Sequence, residues 1–299
     1  MQTCPATATV ARHRDQEPVP SDDVARYYDR NTGRFMIMGG GRSIHRELWG
    51  PGVTSAEQAT DYIDRMVADE VDRLVTGADP VIVDFGCGVG GTLFHLAERF
   101  PRARLHGLTV SPRQVEIAER LAQQTGHADR CAFSLGDFQT ADLELDASVI
   151  VAVESFVHSD SADAFVANAA RHLQAGGYLI IADDFLASEP DALPPRQRRC
   201  VDRFRAGWRV PTVCTPGTLI ADADQHGLAL EKSIDLTSLT RPGSRVRDHL
   251  TAALSPVLAR LGLSGIPFCG NLIGGNALQI GLRDGFLEYR LLIFQKRAP

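Results

Sequence analysis

A buried strand that runs into a glycine-rich turn sets the framework of this chain. The residues are Val81-Ile-Val-Asp84-Phe-Gly86-Cys-Gly88-Val-Gly90-Gly91, and an apolar run from Thr92 to Leu96 follows. Branched apolar residues are typical of a strand buried in a parallel sheet, and the run after the glycines predicts a helix. Glycine lets the backbone approach a ligand closely, and the N–H groups at a helix start favour negative or polar ligand groups. The sequence therefore predicts a cofactor across this turn.

A dinucleotide is the first cofactor to consider. Gly86, Gly88 and Gly91 satisfy the G-x-G-x-x-G spacing. A dinucleotide site also needs a carboxylate about 20 residues later, at the end of the second strand, to bind a ribose hydroxyl. The second strand is predicted at 104–109, and Thr109-Val-Ser111 stands at its end in place of an acid. This counts against a nicotinamide cofactor, although an NAD(P)-dependent oxidoreductase stays open as an alternative of another class.

Three further sequence motifs favour S-adenosylmethionine (SAM). Asp84 precedes the glycines, a T-x-S-x-x-Q run follows the second strand, and Gly136-Asp137-Phe138 follows the third. In this order the motifs resemble the class I SAM-dependent methyltransferases, and more narrowly the branch that methylates carbon in lipids and isoprenoids. The resemblance implies that the turn contacts the methionine part of SAM, that the T-x-S-x-x-Q run lines the ribose, and that Asp137 accepts from the adenine amino group. The cofactor-binding residues implied are Asp84, Gly86, Cys87, Gly88, Thr109, Ser111, Gln114, Asp137, Phe138 and Val153.

Alternating strands and helices from 80 to 186 predict a doubly wound α/β sheet. Strands are predicted at 81–84, 104–109, 132–135, 148–153, 178–183, 228–236 and 289–295. Helices are predicted at 92–99, 112–124, 162–173, 190–210, 218–225 and 244–262, with one more through 62–67. Two late strands fit the seven-stranded, Rossmann-like methyltransferase sheet, and the resemblance supplies its antiparallel seventh strand. The predicted regions are a disordered tail at 1–21, a helical substrate or lid segment at 22–76, and a SAM-binding domain at 77–299 with helical cap insertions near 187–216 and 240–285.

The composition of the chain limits the classes of binding partner and the cellular compartment that we expect. The formal net charge of −6 argues against a nucleic-acid partner. No apolar run approaches the roughly 18 residues of a membrane span. The six cysteines form no C-x-x-C pair, which argues against a zinc site or a disulfide framework and favours a cytoplasmic protein. The number of subunits is not readable from the sequence, and a homo-oligomer stays open.

A carboxylate at the end of the predicted fourth strand is the main candidate for catalysis. Glu154 follows the apolar run Val151-Ala-Val, and the carboxyl ends of parallel strands face the ligand crevice of an open α/β sheet. A glutamate that emerges there is costly to bury unless it is paired or used. We interpret it as a general base close to the methyl donor, with a capping or salt-bridging role as the alternative. His158, one helical turn later, is a second candidate catalytic residue or an exposed loop histidine.

Two arginine clusters flank the predicted sheet, and aromatic residues are interspersed among the arginines of each cluster. The first cluster comprises Arg26, Arg30, Arg34, Arg42 and Arg46, and the second comprises Arg196, Arg198, Arg199, Arg203, Arg205 and Arg209. Guanidinium groups suit phosphate oxygens, and an adjacent aromatic surface suits an apolar chain. The pattern predicts an apolar substrate with a phosphate head, while the alternative is that each arginine is solvated on a helix surface.

The outer parts of the chain narrow the resemblance further. Several outer motifs together look like the prenyl diphosphate C-methyltransferases. They are Tyr27-Tyr28, His45-x-x-x-Trp49, Glu154-Ser155 and the glycine-rich stretch 271–282, which Gly285 and Tyr289-Arg-Leu-Leu follow. That resemblance implies Glu154 as the base and diphosphate contacts from the N-terminal segment. It also implies Mg²⁺ held through the substrate diphosphate, with no metal ligand from the protein. The substrate-binding residues predicted are Tyr27, Tyr28, Asn31, Arg34, His45, Trp49, Phe156, Phe185, Phe204, Trp208 and Asn276, of which Tyr28, Asn31 and Arg34 are the diphosphate candidates.

The predicted reaction is methylation of an alkene carbon. Such a carbon is already nucleophilic toward a sulfonium methyl, so no base is needed before the attack. Methyl transfer leaves a tertiary carbocation, which each aromatic face stabilises by about 0.5 to 2 kcal/mol and which a carboxylate then deprotonates. The sequence therefore predicts a prenyl diphosphate C-methyltransferase of terpenoid-type secondary metabolism, with geranyl or farnesyl diphosphate favoured over isopentenyl diphosphate. An O- or N-methyltransferase of a small natural product is the alternative.

Overall fold

The computed structural model describes residues 45–75, 77, 79–241 and 267–298, which form a seven-stranded sheet with helices on both faces. The strands are β1 (Val81–Phe85), β2 (Arg104–Thr109), β3 (Cys131–Leu135), β4 (Ala147–Val153), β5 (Leu173–Leu186), β6 (Leu228–Asp235) and β7 (Leu287–Lys296). The α-helices are α1 (Ala56–Thr60), α2 (Tyr62–Leu74), α3 (Gly91–Arg99), α4 (Pro112–Thr125), α5 (Ala162–His172), α6 (Pro195–Trp208), α7 (Pro216–Gln225) and α8 (Pro267–Asp284).

The order of the strands determines where a ligand can bind. Across the sheet the order is β3-β2-β1-β4-β5-β7-β6. The five strands from β3 to β5 run parallel, and β7 pairs antiparallel with both β5 and β6. The predicted fold class is confirmed, including the antiparallel seventh strand. Chain order reverses between β1 and β4, so the carboxyl ends of these two strands border the crevice typical of open α/β sheets.

The central strands β1 and β4 are largely apolar on both faces because helices cover both faces of the sheet. Side chains of a strand alternate between faces, so Ile82 packs in one core cluster and its neighbour Val83 in the other. The first cluster also holds residues of α2, α3, α6 and α8, and the second holds residues of α5 and α7. This two-sided burial explains why the strands were predicted from the sequence as nearly continuous apolar runs.

Helix α8 is the main element that the sequence analysis did not predict. It contains four glycines, which lower helix propensity by roughly 1 kcal/mol each relative to alanine. Packing against α6 explains Gly274 and Gly275, whereas a Cβ atom at Gly281 would collide with Leu287 of β7. A Cβ atom added to Gly207 of α6 would lie 2.5 Å from the Gly270 carbonyl oxygen and 2.6 Å from the Gly274 Cα, so the two helices touch backbone to backbone. Tertiary contact therefore outweighs local propensity in this helix.

The contact between α6 and α8 leads to a stability prediction. Gly207→Ala should lower the free energy of unfolding by about 2 kcal/mol, because the new methyl group meets backbone that cannot rotate away. Gly217→Ala in α7 is the matched control, since the nearest atom to its added Cβ would be 3.7 Å away. The control should leave stability unchanged or raise it slightly. Urea denaturation of both variants measures the difference, and equal effects would contradict the close contact.

Some predicted elements differ from the structure or lie outside its described part. The helix predicted through 62–67 is confirmed as part of α2, and the short helix α1 precedes it and has Asp61 as its C-cap. The tail at 1–21, the segment up to residue 44 and the helix predicted at 244–262 lie outside the described residues. None of the helices that the described residues form combines the length and the apolar character needed to cross a membrane.

Candidate active site

The glycine turn between β1 and α3 leaves one side open for a ligand. Gly86 and Gly88 both adopt positive φ values, of 90° and 55°. At Gly86 an added Cβ would collide with the Ser155 Cβ at 2.4 Å, so packing excludes a side chain there. At Gly88 an added Cβ would find nothing within 4 Å. Gly88 is thus the position where backbone borders open space and could approach a cofactor.

A cluster of buried hydroxyl and amide groups follows β2 at the same edge of the sheet. The Thr109 hydroxyl donates to the Gln114 side-chain oxygen at 2.6 Å, and the Ser111 hydroxyl accepts from the Gln114 backbone N–H at 3.1 Å. All three residues are buried. Ser111 is also the N-cap of α4, so the T-x-S-x-x-Q run is part of a helix start rather than a free loop. Such hydroxyl and amide groups suit a ribose.

Other predicted cofactor residues surround the turn with different degrees of burial. Asp84, Cys87 and Val153 are buried, Asp137 is half-buried, and Phe138 packs against Phe85 and Phe165. Asp137 accepts a hydrogen bond from the Gln139 backbone N–H at 2.8 Å. Burial, opposed by His45 and assisted by Asp64, raises the pKa of Asp84 to about 7.

The residues at this edge fit SAM. The open space at Gly88 would receive the methionine part, the T-x-S-x-x-Q run would line the ribose hydroxyls, and Asp137 would accept from the adenine amino group. These assignments of individual residues stay predictions. When bound, SAM supplies an electrophilic methyl group.

Glu154 follows the end of β4 and lies next to the glycine turn. Its neighbour Ser155 donates a hydrogen bond to the Phe85 carbonyl at 2.5 Å, which ties the end of β4 to the end of β1. Glu154 itself has a φ of 52°, a left-handed conformation that costs a non-glycine residue about 1 kcal/mol. One carboxylate oxygen, Oε1, accepts from the Arg46 backbone N–H at 2.9 Å and from the Tyr289 hydroxyl at 3.0 Å. A strained backbone and two donors from distant elements thus hold this carboxylate.

A cavity of about 320 Å³ opens beside Glu154. Its walls come from the segment 45–49, the end of β4, α6, α8 and residues 240–241, and the lining residues are His45, Arg46, Glu47, Trp49, Glu154, Trp208, Thr240, Arg241, Leu278 and Gln279. Two indoles contribute to the wall. Trp208 donates to the Asn271 carbonyl at 3.1 Å, and Trp49 carries the Arg241 guanidinium 3.9 Å from its ring centroid. The cavity can therefore hold an acceptor with both apolar and polar parts next to a carboxylate.

His45 connects this cavity to the cofactor turn. Its Nε2 atom lies 2.9 Å from the Thr92 hydroxyl oxygen and 3.3 Å from the Asp64 carboxylate, while the Thr92 hydroxyl donates to the same carboxylate at 2.8 Å. Burial alone would lower the pKa of His45, but Asp64, Glu154 and Asp84 together raise it to about 9. The imidazolium therefore fastens the segment 45–49 to α2 and α3 at neutral pH.

The charge on His45 predicts a pH dependence of stability. Because its pKa rises from 6.5 to about 9 on folding, its contribution is fully present below pH 6.5 and is lost as the pH rises through 9. The loss should reach about 3 kcal/mol, since one pKa unit corresponds to about 1.4 kcal/mol. Denaturation at pH 6 and pH 9.5 should show a larger loss of stability in the wild type than in His45→Gln, where only other groups such as Asp84 titrate. An equal loss in both proteins would contradict the imidazolium.

Three of the aromatic residues predicted to line the substrate site lie in the core instead. Phe156 and Phe185 are fully buried and stack with centroids 5.8 Å apart on the face of the sheet that α5 covers. Phe204 is also fully buried and meets Trp208 edge to face. The expectation that these rings face the acceptor is corrected: Phe156 and Phe185 pack beneath the site, and Phe204 supports Trp208, which lines the cavity.

The remaining predicted residues have varied positions. His158 donates through Nδ1 to the Arg209 carbonyl at 3.2 Å, and burial lowers its pKa. Asn276 lies in α8, and it is not among the cavity-lining residues given above. The catalytic role of His158 and the substrate role of Asn276 stay predictions. Tyr27, Tyr28, Asn31 and Arg34 lie outside the described residues. Within the described ranges, no three or more His, Cys, Asp or Glu side chains are arranged to hold a metal ion.

The residues that hold Glu154 (Arg46 and Tyr289) and the Asp184 carboxylate that holds Arg46 were not predicted from the sequence. Arg46 appeared only as one member of an arginine cluster, and Asp184 and Tyr289 had no assigned role. The signal for Asp184 was the acidic pair Asp183-Asp184 within an apolar strand, where a carboxylate is costly unless it is paired. Its partner could not be identified, because Arg46 is 138 residues away in the chain.

Comparison with known proteins identifies the family. A family profile described as "Methyltransferase domain" matches residues 83–179. The methyltransferase GfsG of Streptomyces halstedii is 32% identical over 255 residues, which cover 82% of this chain and 86% of GfsG. The O-methyltransferase resE of Aspergillus sclerotiorum is 30% identical over 227 residues, which cover 74% of this chain and 81% of resE.

A solved structure agrees with the fold. The geranyl diphosphate C-methyltransferase of Streptomyces coelicolor A3(2) superposes with a TM-score of 0.66 at 18% identity, over 92% of this chain and 97% of that protein. At this identity the likeness establishes the shared architecture. The family assignment replaces the alternative of a nicotinamide-dependent oxidoreductase. With its seven-stranded sheet, its open glycine turn and a relative of 32% identity over most of both proteins, the chain belongs to the class I SAM-dependent methyltransferases.

Proposed function

We propose that this methyltransferase adds a methyl group to an alkene carbon of a prenyl diphosphate and that Glu154 then removes a proton from the resulting carbocation. The observation that carries the proposal is the carboxylate of Glu154. It is held by two hydrogen-bond donors, directly behind the cofactor turn, in a cavity that Trp49 and Trp208 also line. Geranyl and farnesyl diphosphate are the favoured acceptors.

The chemistry of a carboxylate supports this reaction. A proton next to a carbocation is strongly acidic, so a carboxylate removes it readily, and the alkene needs no base before the attack. The indoles of Trp49 and Trp208 offer faces that attract positive charge. Water must be kept out, since it would capture the cation as an alcohol. In this reaction the residues of the chain orient the alkene, stabilise the cation and accept its proton.

Recognition of the diphosphate requires cationic or hydrogen-bonding groups at the cavity. Arg241 lines the cavity, and its guanidinium, stacked on Trp49, suits phosphate oxygens. Tyr28, Asn31 and Arg34 are proposed as further contacts on the strength of the sequence resemblance, with Mg²⁺ bound through the diphosphate. The Streptomyces coelicolor enzyme was solved with Mg²⁺ and geranyl diphosphate, but its 18% identity supports the fold and not the substrate.

A second candidate is O-methylation of an acidic hydroxyl on a natural product. The observation that favours it is the 30% identity to an O-methyltransferase over most of both chains. Here Glu154 would take the proton of a phenol or a similarly acidic hydroxyl during the attack. A carboxylate is too weak a base for an aliphatic alcohol, so this candidate predicts aromatic acceptors.

A panel of acceptors separates the two candidates. The protein is incubated with SAM, with and without Mg²⁺, against isopentenyl, geranyl and farnesyl diphosphate and against phenolic compounds. The proposal predicts a product heavier by about 14 Da from a prenyl diphosphate, formed only with Mg²⁺ and inhibited by added pyrophosphate. Methylation of phenols alone, without Mg²⁺ dependence, would support the second candidate and contradict the first.

A further inference from the structure

We propose that Arg46 is a positioning residue for Glu154 and that it acts through its buried ion pair with Asp184. The inference rests on the proposed role of Glu154 as the proton acceptor. By anchoring the segment 45–49 on β5, the pair brings the backbone N–H of Arg46 to the Glu154 carboxylate. The Glu154 carboxylate therefore has its proton-accepting orientation only while the segment 45–49 is packed against β5.

The ion pair has the geometry of a fixed anchor. Arg46 Nη1 and Nη2 donate to the two oxygens of Asp184 at 2.8 and 2.7 Å, which makes the pair bidentate. The side chains are only 10% and 4% exposed, so solvent competes little for either group. Two parallel hydrogen bonds fix direction as well as distance, which a single contact to a lysine would not do.

The ion pair of Arg46 and Asp184 is linked to both groups that donate hydrogen bonds to the Glu154 carboxylate. The guanidinium carbon of Arg46 lies 4.6 Å from the ring centroid of Tyr289, and Tyr289 is paired with Asp184 across β5 and β7. The Tyr289 hydroxyl and the Arg46 backbone N–H both donate to the same carboxylate oxygen of Glu154. A change at Asp184 therefore disturbs the orientation of Glu154 through Arg46 and Tyr289, without altering Glu154 itself.

The rest of the segment shows that docking is a property of the whole stretch 45–49. The Leu48 N–H donates to the Ala59 carbonyl at 2.9 Å, and the Trp49 N–H donates to the Leu239 carbonyl at 2.8 Å. His45 holds the other end through Thr92 and Asp64. Arg46 lies between these contacts and is the residue that joins the segment to the strand bearing Asp184.

Hydrogen exchange tests the anchor without any acceptor. Asp184→Asn should speed exchange at the amides of residues 46–49 by at least about tenfold, because it weakens the ion pair that holds them. Asp72→Asn is the matched control, since it breaks an exposed pair with Arg99 of the same 2.8 Å length and should leave these amides unchanged. Arg46→Lys keeps the charge and loses the bidentate geometry, so it should give a smaller acceleration. Unchanged protection in both anchor variants would overturn the proposal.

Methyl transfer tests the consequence for Glu154, with whichever acceptor the wild type methylates. Asp184→Asn should lower kcat about tenfold, leave SAM affinity unchanged, and cause no further loss of kcat in a Glu154→Gln background. An equal loss in that background would show a merely structural role and overturn the proposal. If no prenyl diphosphate is methylated, the proposed substrate fails, while the exchange result still decides the anchor.

Discussion

Glu154→Gln should lower the rate of methyl-product formation at least about 100-fold while SAM binding is retained. Loss of a general base costs about 10² to 10⁴-fold in rate, and glutamine keeps the shape of the side chain but cannot accept the proton. Its amide oxygen can still accept from Arg46 and Tyr289, so the fold should survive the change. Mass detection of the product and calorimetric titration with SAM measure the two effects separately.

The control for this prediction is a carboxylate away from the site. Glu116→Gln changes a group whose side chain is 62% exposed on α4 and which pairs with Arg113 at the surface. It should leave the rate within about twofold of the wild type, since exposed ion pairs contribute little. If Glu154→Gln turned over as fast as this control, Glu154 would have no role as a base.

Gly88→Leu should weaken SAM binding by about 30-fold or more and leave the protein folded. The open space beside the Gly88 Cα accommodates the side chain, so the cost to stability is the left-handed conformation, about 1 to 2 kcal/mol. The same side chain would occupy the space assigned to the cofactor, and a loss of about 2 kcal/mol in binding corresponds to roughly 30-fold.

Gly126→Leu isolates the backbone strain from the effect on the cofactor. Gly126 ends α4 with a φ of 74°, and nothing lies within 4 Å of an added Cβ there either. Both variants should lose similar stability in thermal denaturation, but only Gly88→Leu should lose affinity for SAM. Equal SAM affinities of the two variants would contradict a cofactor site at the turn.

The sheet was predictable from the sequence because its evidence is local. Six of the seven strands begin and end within about two residues of their predicted positions, since most of them are short, mainly apolar runs bounded by turn residues. β5 is the exception, because it starts at Leu173 and continues through Gly176 and Gly177, which the sequence indicates as a turn. Helix α8 was missed because its glycines serve contact with α6, which no local pattern reveals.

The candidate site divides in the same way. The cofactor turn and the T-x-S-x-x-Q run are each a continuous stretch of sequence, and each follows a predicted strand of the parallel sheet. The sequence therefore predicted that both lie at one edge of the sheet. Phe185 was assigned to the wrong face of the sheet, because the side chains of a strand point alternately to its two faces. Asp184 contacts Arg46 on one face of β5, so Phe185 points to the opposite face and packs in the core. The network of Arg46, Asp184 and Tyr289 joins segments from both ends of the chain, which only the fold brings together.

Carbon-bound deuterium gives the most direct test of alkene methylation with Glu154 as the base. The protein is incubated with SAM, Mg²⁺ and geranyl or farnesyl diphosphate deuterated at every carbon, and the product mass is measured. The account predicts a methylated product that has lost one deuteron from carbon, formed by the wild type and not by Glu154→Gln. A methylated product that keeps every carbon-bound deuteron, or transfer only to hydroxyl acceptors, would contradict it.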